Sequence, residues 1–122
     1  MRRRRTRREQ LRSRDFTPEP HSIALVRRFV AESVAGDATD AVLVASELAT
    51  NVVRHARTPF TVSVNTEGTR LEVRDGSSIP PAMGDLLGDA GGGSGLRVVE
   101  KLTVRWGVDV TDDGKVVWAE LR

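Results

Sequence analysis

Residues 47–64 read ELATNVVRHARTPFTVSV, and the apolar period changes inside them at Pro59. Before the proline, Leu48 and Val52 extend a stripe begun by Ala41 and Val44, spaced by three and four as on one face of a helix. After it, Phe60, Val62 and Val64 alternate with Thr61, Ser63 and Asn65, the period of two that marks a half-buried strand. Leu71 and Val73 continue the alternation. With Glu67-Gly68 as a two-residue loop, Val64 pairs with Leu71, Val62 with Val73 and Phe60 with Asp75, so all the apolar residues share one face. An acid then ends the inward row, where burial makes a lone carboxylate costly.

Upstream, Ile23, Val26, Val30 and Val34 predict a first amphipathic helix over residues 21–35, stopped by Gly36. Asp37 or Thr39 caps the second helix, which runs to about Ala56. Downstream, residues 76–94 hold Pro80, Pro81 and six glycines, the composition of a long loop that serves as a lid, a binding loop or a plain linker. A short apolar helix over residues 96–102, begun by Gly95, leads into two more strands, residues 103–110 and 115–122. Joined through Asp113-Gly114, they pair Val110 with Val117, Val108 with Ala119 and Trp106 with Leu121. This order of elements predicts an α+β fold: a two-layer α/β sandwich whose mixed, largely antiparallel sheet is covered on one face by helices.

The 122 residues suit one domain, and they contain no cysteine, which removes disulfides, thiolate metal sites and cysteine nucleophiles. No apolar run approaches the ~20 residues of a membrane span, and no signal peptide is visible; the expected location is cytoplasmic. The net charge of +2 averages two unlike parts. Residues 1–14 carry eight arginines and one acid, a formal +7, while the remainder carries 11 basic and 16 acidic side chains, a formal −5. Residues 1–17 are therefore expected to form a disordered arginine-rich tail and residues 18–122 the domain. Such an arm suits phosphate-rich or acidic surfaces, or is a solvated tail without a specific role.

Three polar residues on the second helix, Glu47, Asn51 and His55, are spaced by four and so climb one side. Extrapolated at about 100° per residue, the line runs into the apolar stripe, with His55 close to the direction of Val44. Carboxylate and amide oxygens in such a place suit Mg²⁺ and its waters; alternatively Glu47 is a surface acid and His55 a satisfied capping or core residue. Asp75 and the run Gly93-Ser94-Gly95-Leu96 complete the set, since glycines let backbone approach a ligand and a helix start offers free N–H groups to an anion. Neither a P-loop nor a dinucleotide-binding glycine motif is present.

Together these residues resemble the GHKL (Bergerat-fold) ATP-binding superfamily, in the form found in bacterial anti-sigma-factor serine kinases of the RsbW and SpoIIAB type. Residues 47–56 resemble its N-box, residues 71–76 its first glycine box and residues 93–99 its second. Residues 104–107 and 114–118 look like the closing hairpin of the small actinobacterial branch. The resemblance implies ATP and Mg²⁺ as cofactors. It implies that Asn51 ligates the metal, that Asp75 accepts a hydrogen bond from the adenine amino group, and that Gly93, Ser94 and Gly95 lie against the triphosphate. His55 and Leu96 fall among the implied nucleotide-binding positions, and Glu47 would be the general base on an incoming hydroxyl. It further implies a sigma factor and a STAS-type anti-anti-sigma protein as partners, with self-association allowed. The sequence departs from the family's pattern at Ser77, where a glycine is usual, and at Ser94, where an arginine commonly follows the first glycine. Two other readings stand beside this one: a non-catalytic ATP-binding or sequestering module, and a nucleic-acid-associated protein using the arginine arm, though the acidic body shows no basic helix for sequence readout.

Overall fold

Where the chain turns from helical to strand periodicity, the computed structural model changes element as expected. It describes residues 10–79 and 95–122. In order these form β1 (Arg12–Phe16), α1 (Ser22–Ser33), α2 (Thr39–Asn51) with a π turn (Val52–Ala56), β2 (Phe60–Val64), β3 (Arg70–Asp75), α3 (Gly95–Leu102), β4 (Thr103–Thr111) and β5 (Gly114–Leu121). The five strands make one sheet in the order β1-β2-β3-β5-β4, and every pairing is antiparallel, so no mixed pairing occurs among the described residues.

Alternation decides which side of the sheet is covered. Val62, Val64, Leu71, Val73, Val117 and Ala119 point inward and pack with Val26 and Val30 of α1 and with Val44 and Leu48 of α2 in a single core. Each buried valine or leucine among these contributes roughly 1.5–3 kcal/mol relative to exposure. Apart from Val116, the outward side chains of β3 and β5 are charged or amphipathic: Arg70 lies 4.9 Å over the Trp118 ring and pairs with Glu72 at 3.1 Å and Glu120 at 3.3 Å. This is the two-layer α+β sandwich that the periodicities predict. Among the described residues no helix is long and apolar enough to cross a membrane.

The β2–β3 register is the expected one, Phe60 opposite Asp75 included. Its turn is held by Asn65, whose Oδ1 accepts from the Thr69 and Arg70 amides at 2.9 and 3.0 Å. Gly68 is at φ 72°, with Val34 2.9 Å from where a Cβ would stand, so both backbone and space call for glycine. The N-cap of α2 is Ala38 rather than Asp37 or Thr39 and has no side-chain cap bond; Asp37, one residue earlier, accepts the Thr39 amide at 2.9 Å and the Thr39 hydroxyl at 2.6 Å. Those bonds hold the Asp37 carboxyl below its ordinary value.

Three further expectations are corrected. Residues 12–16 are not disordered: they form an edge strand on β2. Phe16 is buried, stacked on Phe60 at 5.6 Å and edge-on to Phe29 at 6.1 Å, while Ser13 bonds Ser63 and Thr61 bonds Asp15. Residues 1–9 lie outside the described part, so the arginine-rich beginning of the tail is not included in this correction. The β4–β5 turn is at Asp112-Asp113, pairing Val110 with Lys115, Val108 with Val117 and Trp106 with Ala119, two residues from the expected register. A slip of two preserves facing, so the core set survives. His55, expected to turn toward the core, is exposed; the cause lies in the π turn described next.

Candidate functional site

α2 does not end as a plain helix. From Val52 to Ala56 the hydrogen bonds lengthen to the π pattern, with the Arg57 amide bonding Val52 O at 2.8 Å, and Arg57 closes the turn in the left-handed conformation at φ 55°. A π turn holds more residues than the ~3.6 of an α-helix, so each residue turns through a smaller angle and His55 lags behind its extrapolated direction. Glu47 and Asn51, still on the regular part, stay one turn apart and half-buried. Among the described residues the Asn51 amide and the Glu47 carboxylate have no hydrogen-bond or ion-pair partner, whereas His55 does interact.

The turn delivers Thr58 to the end of β3, where its Oγ1 accepts the Gly76 amide at 2.8 Å. This bond ties the end of the helix carrying Asn51 to the strand end carrying Asp75. Asp75 itself is almost wholly buried at the end of the inward row. Its Oδ1 accepts the Ser77 amide at 2.8 Å and Lys115 Nζ at 3.1 Å, and its Oδ2 lies 3.0 Å from the same ammonium. Lys115 Nζ also donates to Ser77 O at 3.4 Å. Both side chains are within 6% of full burial, which makes this a charge pair in a poorly screened place.

Gly114 allows the two strands to meet there. It sits at φ 151°, and a Cβ on it would fall 1.9 Å from the Asp75 carbonyl oxygen, so β5 lies flush against β3 only with glycine at this point. A cavity of about 310 Å³ opens beside the pair, lined by Phe60, Arg74, Asp75, Gly76, Gly114 and Lys115 among others.

The structure therefore joins Asp75 to the α2 end through Thr58, keeps Glu47 and Asn51 together on the regular helix, and leaves His55 exposed on the π turn. Gly95 begins α3 as expected, and Leu96 follows within it. Gly93 and Ser94 lie outside the described residues. Sequence reasoning missed Lys115, Thr58 and the place of Gly114 at the site. A signal for Lys115 existed: it shares facing with Val117 and Ala119, and an inward charge needs an opposite partner.

These residues suit a nucleotide and a hard cation. The two oxygens of Asp75 accept three contacts, which leaves an acceptor position on Oδ2 for an amino group. The half-buried, uncommitted Asn51 amide suits an ion held chiefly by phosphate oxygens and water, and no cluster of three or more acidic, histidine or cysteine ligands occurs among the described residues. A sheet covered on one face by helices, with an amide-bearing helix and an inward acid at a strand end, defines the class as an α+β sandwich with a polar site at one end of the sheet.

Residues 36–122 match the model of the histidine kinase-, DNA gyrase B- and HSP90-like ATPases, and the chain belongs to that family. The matched region begins just before α2 and takes in every site residue named above. A search of curated proteins found no match.

Proposed function

We propose that this ATP-binding domain works as an anti-sigma-type regulator: it binds Mg-ATP, sequesters a sigma factor, and phosphorylates a serine or threonine of a STAS-type antagonist. The observation that carries the nucleotide reading is Asp75, buried at the end of the inward row with an acceptor position left over. In this reading Asp75 would accept from the base amino group, Asn51 would hold the metal that accompanies the phosphates, and the N–H groups at the start of α3 would face the anionic end. When bound, Mg²⁺ neutralises phosphate charge during transfer. Glu47, one turn from Asn51 and uncommitted among the described residues, would accept the proton of the attacking hydroxyl in this reading.

Calorimetric titration with Mg-ATP tests the site: affinity should fall at least about tenfold in Asn51→Ala and Asp75→Asn, as expected when a charge-assisted contact is lost. Unchanged affinity in both variants sinks the reading. Transfer of labelled γ-phosphate to a partner, abolished in Glu47→Ala with ATP binding retained, tests the kinase step separately. The serines at positions 77 and 94 of the two glycine boxes favour a second reading, a module that holds ATP weakly and acts by contact alone. Partner binding without transfer would support it.

A further inference from the structure

The nucleotide reading leaves Lys115 without a role beyond its ion pair. Its placement is unusual for a lysine: it faces the core, directly across the strand pair from Asp75. We propose that Lys115 is a base-reading residue whose ammonium donates to the ring nitrogen N1 of adenine while Asp75 accepts from the neighbouring amino group. This rests on the ATP reading above.

The donor count supports it. The ammonium donates to Asp75 Oδ1 at 3.1 Å, with Oδ2 at 3.0 Å as its ion-pair partner, and its other hydrogen bond, to Ser77 O, is long at 3.4 Å. A bond of that length is weak and is the one given up at least cost. Redirected to a ligand, it leaves the ion pair intact, so the charges stay compensated while the base enters. Asp75 keeps one acceptor position on Oδ2. The pair thus offers an acceptor and a donor side by side.

Adenine presents the complement on adjacent atoms, an amino donor next to a ring acceptor. Guanine in the same orientation sets its carbonyl oxygen against the carboxylate and its ring N–H against the ammonium. Both contacts are then unsatisfied in a buried place, which is how a site built on hydrogen bonds rejects a near-isostere. A carboxylate alone reads only the amino group; the ion pair reads both positions, and Gly114 is what allows β5 to bring the lysine there.

The test compares ATP with 1-deaza-ATP, in which N1 is replaced by C–H, and with 7-deaza-ATP, altered on the far side of the base. Binding to the full-length wild-type chain is measured by calorimetry with Mg²⁺. The expected result is about tenfold or greater weakening for 1-deaza-ATP and a change within about twofold for 7-deaza-ATP. In Lys115→Met, and in Asp75→Asn/Lys115→Met where no lone buried charge remains, ATP and 1-deaza-ATP should bind alike. Equal binding of the two by the wild type overturns the role of Lys115 while leaving the ATP reading standing, as does an unchanged ratio in the variants. Failure of the wild type to bind ATP overturns both. If the variants do not fold, equal binding of the two nucleotides by the wild type still overturns the role of Lys115.

Discussion

Asp75 and Lys115 pose opposite costs to the fold and to the ligand site. Burying either charge alone is expensive, and together they are compensated at 3.0 Å. Asp75→Asn leaves an ammonium stranded and should destabilise the chain by about 3–5 kcal/mol, whereas Asp75→Asn/Lys115→Met should cost markedly less. Urea unfolding of the two single variants and the double variant measures this; additive losses would show that the pair is not coupled. Gly114→Ala should be among the most damaging small changes, because its Cβ meets the Asp75 carbonyl at 1.9 Å and β5 has to move away. Its unfolding midpoint should drop without a change in denaturant slope.

β1 is the element whose sequence conceals it. Arg12, Ser13, Arg14 and Asp15 are all exposed, so no alternation marks the strand, and only Phe16 reaches the core. An edge strand is held by its backbone ladder and one anchor rather than by an apolar face. Phe16→Ala should therefore cost about 3–5 kcal/mol, a loss that a disordered tail could not produce. The start of α2 behaves differently. Asp37 is fully exposed and its carboxyl is held low by the Thr39 hydroxyl and amide, so its contribution is complete above the ordinary aspartate value and is lost as pH falls through the lowered one. Asp37→Ala should flatten that acid limb of the stability curve and leave the alkaline side unchanged.

For the whole molecule, ligand binding and stability are linked. If Mg-ATP binds the folded chain alone, a concentration of 100 times Kd should add about 2.7 kcal/mol and raise the melting temperature. Thermal unfolding with and without Mg-ATP checks this, and the increment should shrink in Asn51→Ala. The acidic part, residues 15–122 at a formal −5, carries every site residue named above.

Much of this was legible in the chain. A period of two on either side of Gly68 determined the β2–β3 register, and that placed Asp75 at the end of the inward row. The N-box spacing singled out Glu47 and Asn51, because four residues make nearly one turn of a regular helix. Three features were decided only by tertiary structure. One additional residue in a turn redirected His55, which an extrapolated α-helix does not foresee. Backbone pairing with β2, invisible to side-chain patterning, made a strand of residues 12–16. The meeting of Asp75 with Lys115 depends on β5 lying between β3 and β4. That neighbour is non-consecutive in the chain, and its close approach depends on Gly114 pressed against the carbonyl of Asp75, 39 residues away, rather than on any local preference.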